Sequence, residues 1–341
     1  MEYPPPFRAA AWRRRRLTDM AARAPDITIP ETITPHGPVH ARTSWELFWA
    51  KFVQDRVALG GMIFIIVLVA LAIFAPLIAL LVGHSPNQLF GTMLTPLGLP
   101  KGPNASFWFG ADQAGRDVCV RTLYGARTSL TVSVVGTGAA TALGTITGTV
   151  AGYFGGWLDT VISRFVDVLL SLPLLLFAIG LASVCSVSTR GCFGGVLQPG
   201  LPLVMAIIAL FTWPYMARIV RGQVLALKER DFIEAARALG ARDSRIMFID
   251  LLPNMTAPII VYATLTLPTN ILFEASLSFL GVGVPQSTPS WGRMLSDATS
   301  GSLFTYAWWM MLYPGLFLLL TTLAFNLVGD GLRDALLPET R

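Results

Sequence analysis

Six long hydrophobic blocks separated by polar stretches run along the 341 residues, the pattern of a chain that crosses a bilayer repeatedly. Spans are expected at 57–82, 129–154, 157–183, 201–217, 254–273 and 308–328. The first holds no charged residue over a length sufficient to cross the hydrocarbon core. Ahead of it, Trp45, Phe48, Trp49 and Phe52 repeat at helical spacing behind a capping box of Thr43 and Glu46. The segment 43–56 is therefore expected as an interfacial amphipathic helix with its aromatic face at the headgroup level. Residues 1–42 combine prolines with the arginine run 13–16 and have too little apolar periodicity to fold alone, so a disordered cytoplasmic tail is expected. The arginine run either touches anionic lipid or stays solvated. The expected fold class is all-α and polytopic, with a six-span domain over 57–337, a polar loop at 218–253 within it, and a short tail at 338–341.

Two stripes run along the second block at four-residue spacing. Gly136, Ala140, Gly144, Gly148 and Gly152 form a small-residue seam that lets another helix approach closely. Beside it stand Thr137, Thr141, Thr145 and Thr149, whose hydroxyls either face a polar path or bond back to their own helix and pack. In the third block Asp159, Arg164 and Asp167 lie near the start, where Arg164 is expected to pair with either acid, and Pro173 is expected to kink the helix. Pro258 and Pro268 loosen the fifth block.

Between the fourth and fifth spans lies the polar interruption 231–253, DFIEAARALGARDSRIMFIDLLP. Phe232, Ala235, Ala236 and Leu239 fall at i, i+3, i+4 and i+7 and make a narrow, small-residue face, with Glu234 and Arg237 beside it. Gly240 is expected to close this helix in a left-handed conformation, and Asp243 or Ser244 to cap a second one ending at Pro253. Such a helix–Gly–helix hook carries apolar knobs that need a partner. Glu234-Ala235-Ala236, then Gly240, then Leu252-Pro253 resembles the EAA loop of ABC-importer permease subunits, with Asp250 where that family has isoleucine. The resemblance implies that Glu234, Ala235, Ala236, Arg237, Leu239, Gly240 and Pro253 couple this chain to an ATP-binding subunit.

The first loop after span one ends in FGADQAGRDVCVRTLYGARTSL. Gly115-Arg116-Asp117 and Tyr124-Gly125-Ala126-Arg127 resemble the peptide and nickel branch of these permeases, as do FEASLSFLGVG around Glu274, Ser290-Trp291-Gly292, and the ending GDGLRDAL. Ala111, Cys119 and Leu337 depart from that pattern. Asp112, Arg116, Asp117 and Glu274 are candidates for the outer loop or gate. For Arg116 and Asp117 a structural clasp and a direct substrate contact both stand open. For Glu274 the alternatives are a functional acid inside the membrane and a carboxylate capping the outer rim.

With 53% hydrophobic and 13% charged residues, composition excludes a soluble domain and suggests neither a catalytic nor a nucleic-acid class. The net charge of +5 crowds into the tail and 218–245, the bias of cytoplasmic segments, which places both termini inside. The first apolar block follows a long polar stretch and is expected to remain as a span rather than be cleaved. Cys185 and Cys192 face the expected outer side, where a disulfide and two free thiols are both open.

The resemblance covers 43–337 and implies a type I ABC-importer fold in a bacterial cytoplasmic membrane, alternating access, and cargo of di- or oligopeptides. Nickel, glutathione or haem are alternatives within the branch, and an ion-coupled secondary transporter outside it. Implied partners are a second, similar permease subunit, two ATP-binding subunits, an extracytoplasmic solute-binding protein and membrane lipid. No Gly-rich phosphate loop is present, so no cofactor is expected in this chain, and ATP and Mg are expected on the partner subunits.

Overall fold

The computed structural model describes residues 44–187, 192 and 198–336. Among them are ten helices of eight residues or more: α1 (Ser44–Gln54), α2 (Arg56–Val82), α3 (Val118–Phe154), α4 (Gly156–Ser171), α5 (Leu174–Val187), α6 (Leu201–Leu227), α7 (Asp231–Ala238), α8 (Thr256–Phe279), α9 (Trp291–Thr299) and α10 (Trp309–Leu336). Five helical stretches are long and apolar enough to span a membrane, and the pair α4–α5 makes a sixth if its bent halves count as one.

Asp55 sets the start of α2, its Oδ1 accepting from the amides of Val57 and Ala58 at 2.9 and 3.1 Å. The aromatic face expected at the headgroups is divided: Phe48 and Phe52 are buried against Ala58, Met62 and the end of α10, whereas Trp49 stays exposed. Thr43, one half of the expected capping box, and residues 1–42 lie outside the described residues, as do 337–341.

The second span begins earlier than its apolar block. Asp117 caps α3 through the amides of Cys119 and Val120, at 2.8 and 3.3 Å, so Cys119, Arg121, Tyr124 and Arg127 stand in the first turns of a 37-residue helix and not in a loop. Polar residues there read as loop because only tertiary contacts bury them.

The third span is broken. Leu172, extended at φ −77° and ψ 139°, precedes Pro173, and α4 meets α5 at 87°, so the expected kink is a full corner. A residue before proline is driven out of the helical region, and proline cannot donate back to the preceding turn. The acids of α4 also choose partners other than Arg164: Asp159 accepts from Arg221 at 2.5 and 2.6 Å, and Asp167 from Arg218 at 2.6 Å. Both arginines lie on α6, which runs on to Leu227, well past the expected end.

α6 packs along the seam of α3. A Cβ at Gly144 would lie 2.5 Å from Met216 Cβ and 2.7 Å from the Trp213 carbonyl oxygen; one at Gly148 would lie 2.5 Å from that of Ala217. Gly136 and Gly152 meet Ile208 and Val224 in the same way, and Ala140 is buried beside Trp213 and Ala217. α8 lies between α3 and α10, reaching Phe279, beyond its expected end.

Candidate functional site: a hook and a clasp at the two ends of one helix

α7 forms the first half of the hook. Ile233 is fully buried among Val220, Val224, Ile246, Leu251 and Met255, so it anchors the hook to α6 and to the segment leading into α8. Phe232, Ala235 and Leu239 are exposed and Ala236 is half-buried, which turns most of the small-residue face outward, with Glu234 and Arg237 exposed beside it. Gly240 has φ +77°. Its amide donates to the Arg237 carbonyl at 2.9 Å and that of Ala241 to Ala236 at 3.0 Å, the double bond that closes a helix on a left-handed glycine.

The second half of the hook differs from expectation. No side chain caps it; Arg242 holds the cap position, and the chain runs through Asp243–Arg245 and a π-helical Ile246–Leu251 to Pro253–Met255. Asp243 instead accepts from Tyr153 Oη at 2.6 Å, while the guanidinium of Arg237 lies 5.5 Å from the centroid of the same ring. Lys228 Nζ adds a bond of 3.2 Å to the Gly152 carbonyl. Tyr153 is therefore the fastening between hook and α3. Neither it nor Ile233 belongs to the small-residue pattern, but Ile233 was open to discovery as the one large aliphatic residue inside α7.

Pro253 lines a cavity of about 540 Å³ with Thr145, Thr149, Ile146, Phe248 and Leu252. The threonine stripe is thus divided, because Thr137 instead accepts from Asn270 Nδ2 at 2.7 Å and ties α3 to α8.

At the other end of α3 a buried ionic knot holds the loop. Asp112 Oδ1 accepts from the amides of Ala114 and Arg116, both at 2.9 Å, and Oδ2 from Arg116 Nε at 2.6 Å. Arg121 Nε lies 3.5 Å from that carboxylate, and Arg121 Nη1 donates to the Pro86 carbonyl and to Asn87 Oδ1 at 3.1 and 3.2 Å. Asp297 on α9 stands 3.4 Å from Arg116 Nη2 and 3.3 Å from Arg293 Nε. Burial pushes the Asp297 carboxyl above its ordinary range, against the opposing pull of Arg293 and Arg116. Asp117 pairs with His84 Nδ1 at 2.6 Å while capping α3. Trp309 Nε1 donates to the Ala111 carbonyl at 3.0 Å, joining α10 to the knot. Asp112, Arg116 and Asp117 are each buried, and their geometry is that of a clasp. Arg121, Arg293 and Asp297 are members that sequence reasoning did not name; the i, i+4 pair of Arg293 and Asp297 was the signal available for two of them.

Glu274 is fully buried, which removes the rim-cap reading. It accepts from Ser129 Oγ of α3 and Ser278 Oγ of α8, both at 2.7 Å. Elsewhere, Cys185 and Cys192 are joined in a disulfide with their Cα atoms 4.9 Å apart, and Cys119 is a buried free thiol. Among the described residues no group of His, Cys, Asp and Glu is arranged to hold a metal ion.

Residues 144–341, which include the whole hook, match the family model described as the binding-protein-dependent transport system inner membrane component, more than half of the chain. The chain belongs to that family. Residues 43–96 also match the N-terminal transmembrane domain of oligopeptide transport permease C, which places the chain in the peptide branch of ABC-importer permeases. It is 38% identical to the dipeptide transport system permease protein DppC of Alkalihalophilus pseudofirmus, over 92% of this chain and 95% of that one. It is 40% identical to the glutathione transport system permease protein GsiD of Shigella sonnei, over 89% and 93%. A structure of the inward-facing MetNI methionine ABC transporter superposes with a TM-score of 0.50 at 21% identity, covering 64% of this chain and 96% of its own, a likeness of fold alone. The chain is thus a transport permease subunit and a multi-pass membrane protein.

Proposed function

We propose that this permease forms half of the path by which an ATP-driven importer admits small peptides, working with a second, similar permease chain. The observation that carries the reading is the outward face of α7, where Phe232, Ala235 and Leu239 are exposed on a hook whose base is buried through Ile233. An apolar face held out on a fixed base is suited to a groove in an ATP-binding subunit. Two such subunits carry ATP and Mg and perform the hydrolysis, this chain binding neither. An extracytoplasmic solute-binding protein delivers cargo on the side of the clasp, with the hook and both termini in the cytoplasm of a bacterial inner membrane. The similarity to dipeptide and glutathione permeases favours di- and tripeptides over nickel complexes or haem. An ion-coupled carrier would have no use for a docking hook.

The test is uptake by the complete importer, reconstituted in vesicles with ATP inside, of labelled alanyl-alanine and of labelled glutathione. ATP-dependent accumulation of either is expected. Accumulation that proceeds without ATP, driven by an ion gradient, would sink the reading.

A further inference from the structure

We propose that Tyr153 is a positioning residue that fastens the hook to α3, so that displacement of the hook is carried along α3 to the clasp at its far end. This rests on the reading of 231–253 as the segment that meets an ATP-binding partner. The fastening reaches across ninety positions of sequence and grips both halves of the hook at once. Asp243, which opens the second half, accepts a hydrogen bond from Tyr153 Oη at 2.6 Å, and Arg237, near the end of α7, stands over the ring at 5.5 Å. Lys228, where α6 ends, bonds the Gly152 carbonyl next to it. The Tyr153 ring is buried in the same cluster as Ile233, Ile246 and Val224, so the hydroxyl reaches its acceptor from a held position. A hydrogen bond to a carboxylate is roughly twice as strong as a neutral one, and here the donor ring is buried while the carboxylate of Asp243 lies at the exposed side of the hook.

What the fastening moves is set by α3. The helix runs unbroken from Val118 to Phe154 without a proline, 37 residues or about 55 Å, and is packed along α6 through its glycine seam, so the proposed route for displacement of its hook end lies along its axis. At its far end Asp117 caps it and bonds His84, Arg121 reaches the loop at Pro86 and Asn87, and Ser129 bonds Glu274 of α8. The hook is thus bound to one end of a continuous helix whose other end is built into the clasp.

The test compares wild type with Tyr153→Phe, which keeps the ring and its stacking with Arg237 and deletes only the hydroxyl. Hydrogen exchange is followed in the complete importer in lipid nanodiscs, with and without trapping by ATP and vanadate. In wild type, trapping is expected to change exchange both in the hook and in the loop 84–117. In Tyr153→Phe the hook response is expected to persist and the loop response to fall by about tenfold, the factor that one hydrogen bond to a charged group can carry. Asp243→Ala should reproduce this, and the double variant should be no worse than either single, because both remove one bond. A wild-type loop response in Tyr153→Phe would overturn the proposal. So would loss of hook and loop responses together, which would make the hydroxyl a support for docking only. Absence of any hook response in the wild type would instead overturn the coupling reading beneath it.

Discussion

At Gly240 the cost of substitution is conformational. Nothing lies within 4 Å of where a Cβ would stand, so a side chain would not push the two halves of the hook apart; the φ of +77° alone opposes it. Gly240→Val should cost about 1–2 kcal/mol locally and loosen the turn that presents Ala235 and Leu239. Recovery of ATP-binding subunits on an affinity-tagged permease should drop, while membrane insertion, read by blotting the membrane fraction, should not. Unchanged recovery would mean that the turn does not organise docking. Glu274 poses the opposite case, because its value lies in contacts. Glu274→Leu leaves the hydroxyls of Ser129 and Ser278 buried without their acceptor, at about 1–3 kcal/mol each, and Glu274→Gln keeps an acceptor for one of them. The detergent-solubilised protein should therefore melt lower in the order wild type, Gln, Leu. Equal melting of all three would show the carboxylate to be dispensable to the fold.

Among the elements, the pair α3 and α6 depends on glycine for a steric reason. Gly144→Leu cannot be placed, since even its Cβ would overlap Met216 and the Trp213 carbonyl, and assembly of the importer should fail. Thr145→Val keeps the shape and only exchanges a hydroxyl for a methyl at the cavity wall, so assembly should survive; gel filtration of the solubilised complex separates the two outcomes. The corner between α4 and α5 has a different origin, a proline whose neighbour cannot stay helical. Past that corner, the Cys185–Cys192 bond ties the end of α5 to the segment before α6. Mass spectrometry of the non-reduced protein should find the linked peptide, and complete alkylation of both thiols in freshly prepared protein would contradict it.

For the whole molecule, the hook and the clasp both lie within the residues from 44 onward, and the family likeness begins at 43. Removing residues 1–40 should leave uptake near wild type in vesicles, and loss of transport by a truncated chain that still assembles would assign the tail a function. The apolar blocks, the seam and the first half of the hook were legible in the sequence because each depends on a short-range repeat: apolar runs, small residues every fourth position, a glycine after a periodic helix. The small face of α7 and the positive φ of Gly240 belong to this class. Partner choice was not legible. Arg164 stood nearer in sequence to Asp159 and Asp167, yet Arg221 and Arg218 took them, because the close approach of α3 and α6 brings α4 alongside. Tyr153 and Asp243 are ninety positions apart, and the long reach of α3 into the clasp was concealed by charges that read as loop until Asp112, Asp297 and three arginines were folded together. Local periodicity records which face a helix buries, so the chain by itself determined its apolar blocks, its seam and the first half of its hook. Which buried charges meet is decided by distances between helices, and only the tertiary structure sets those.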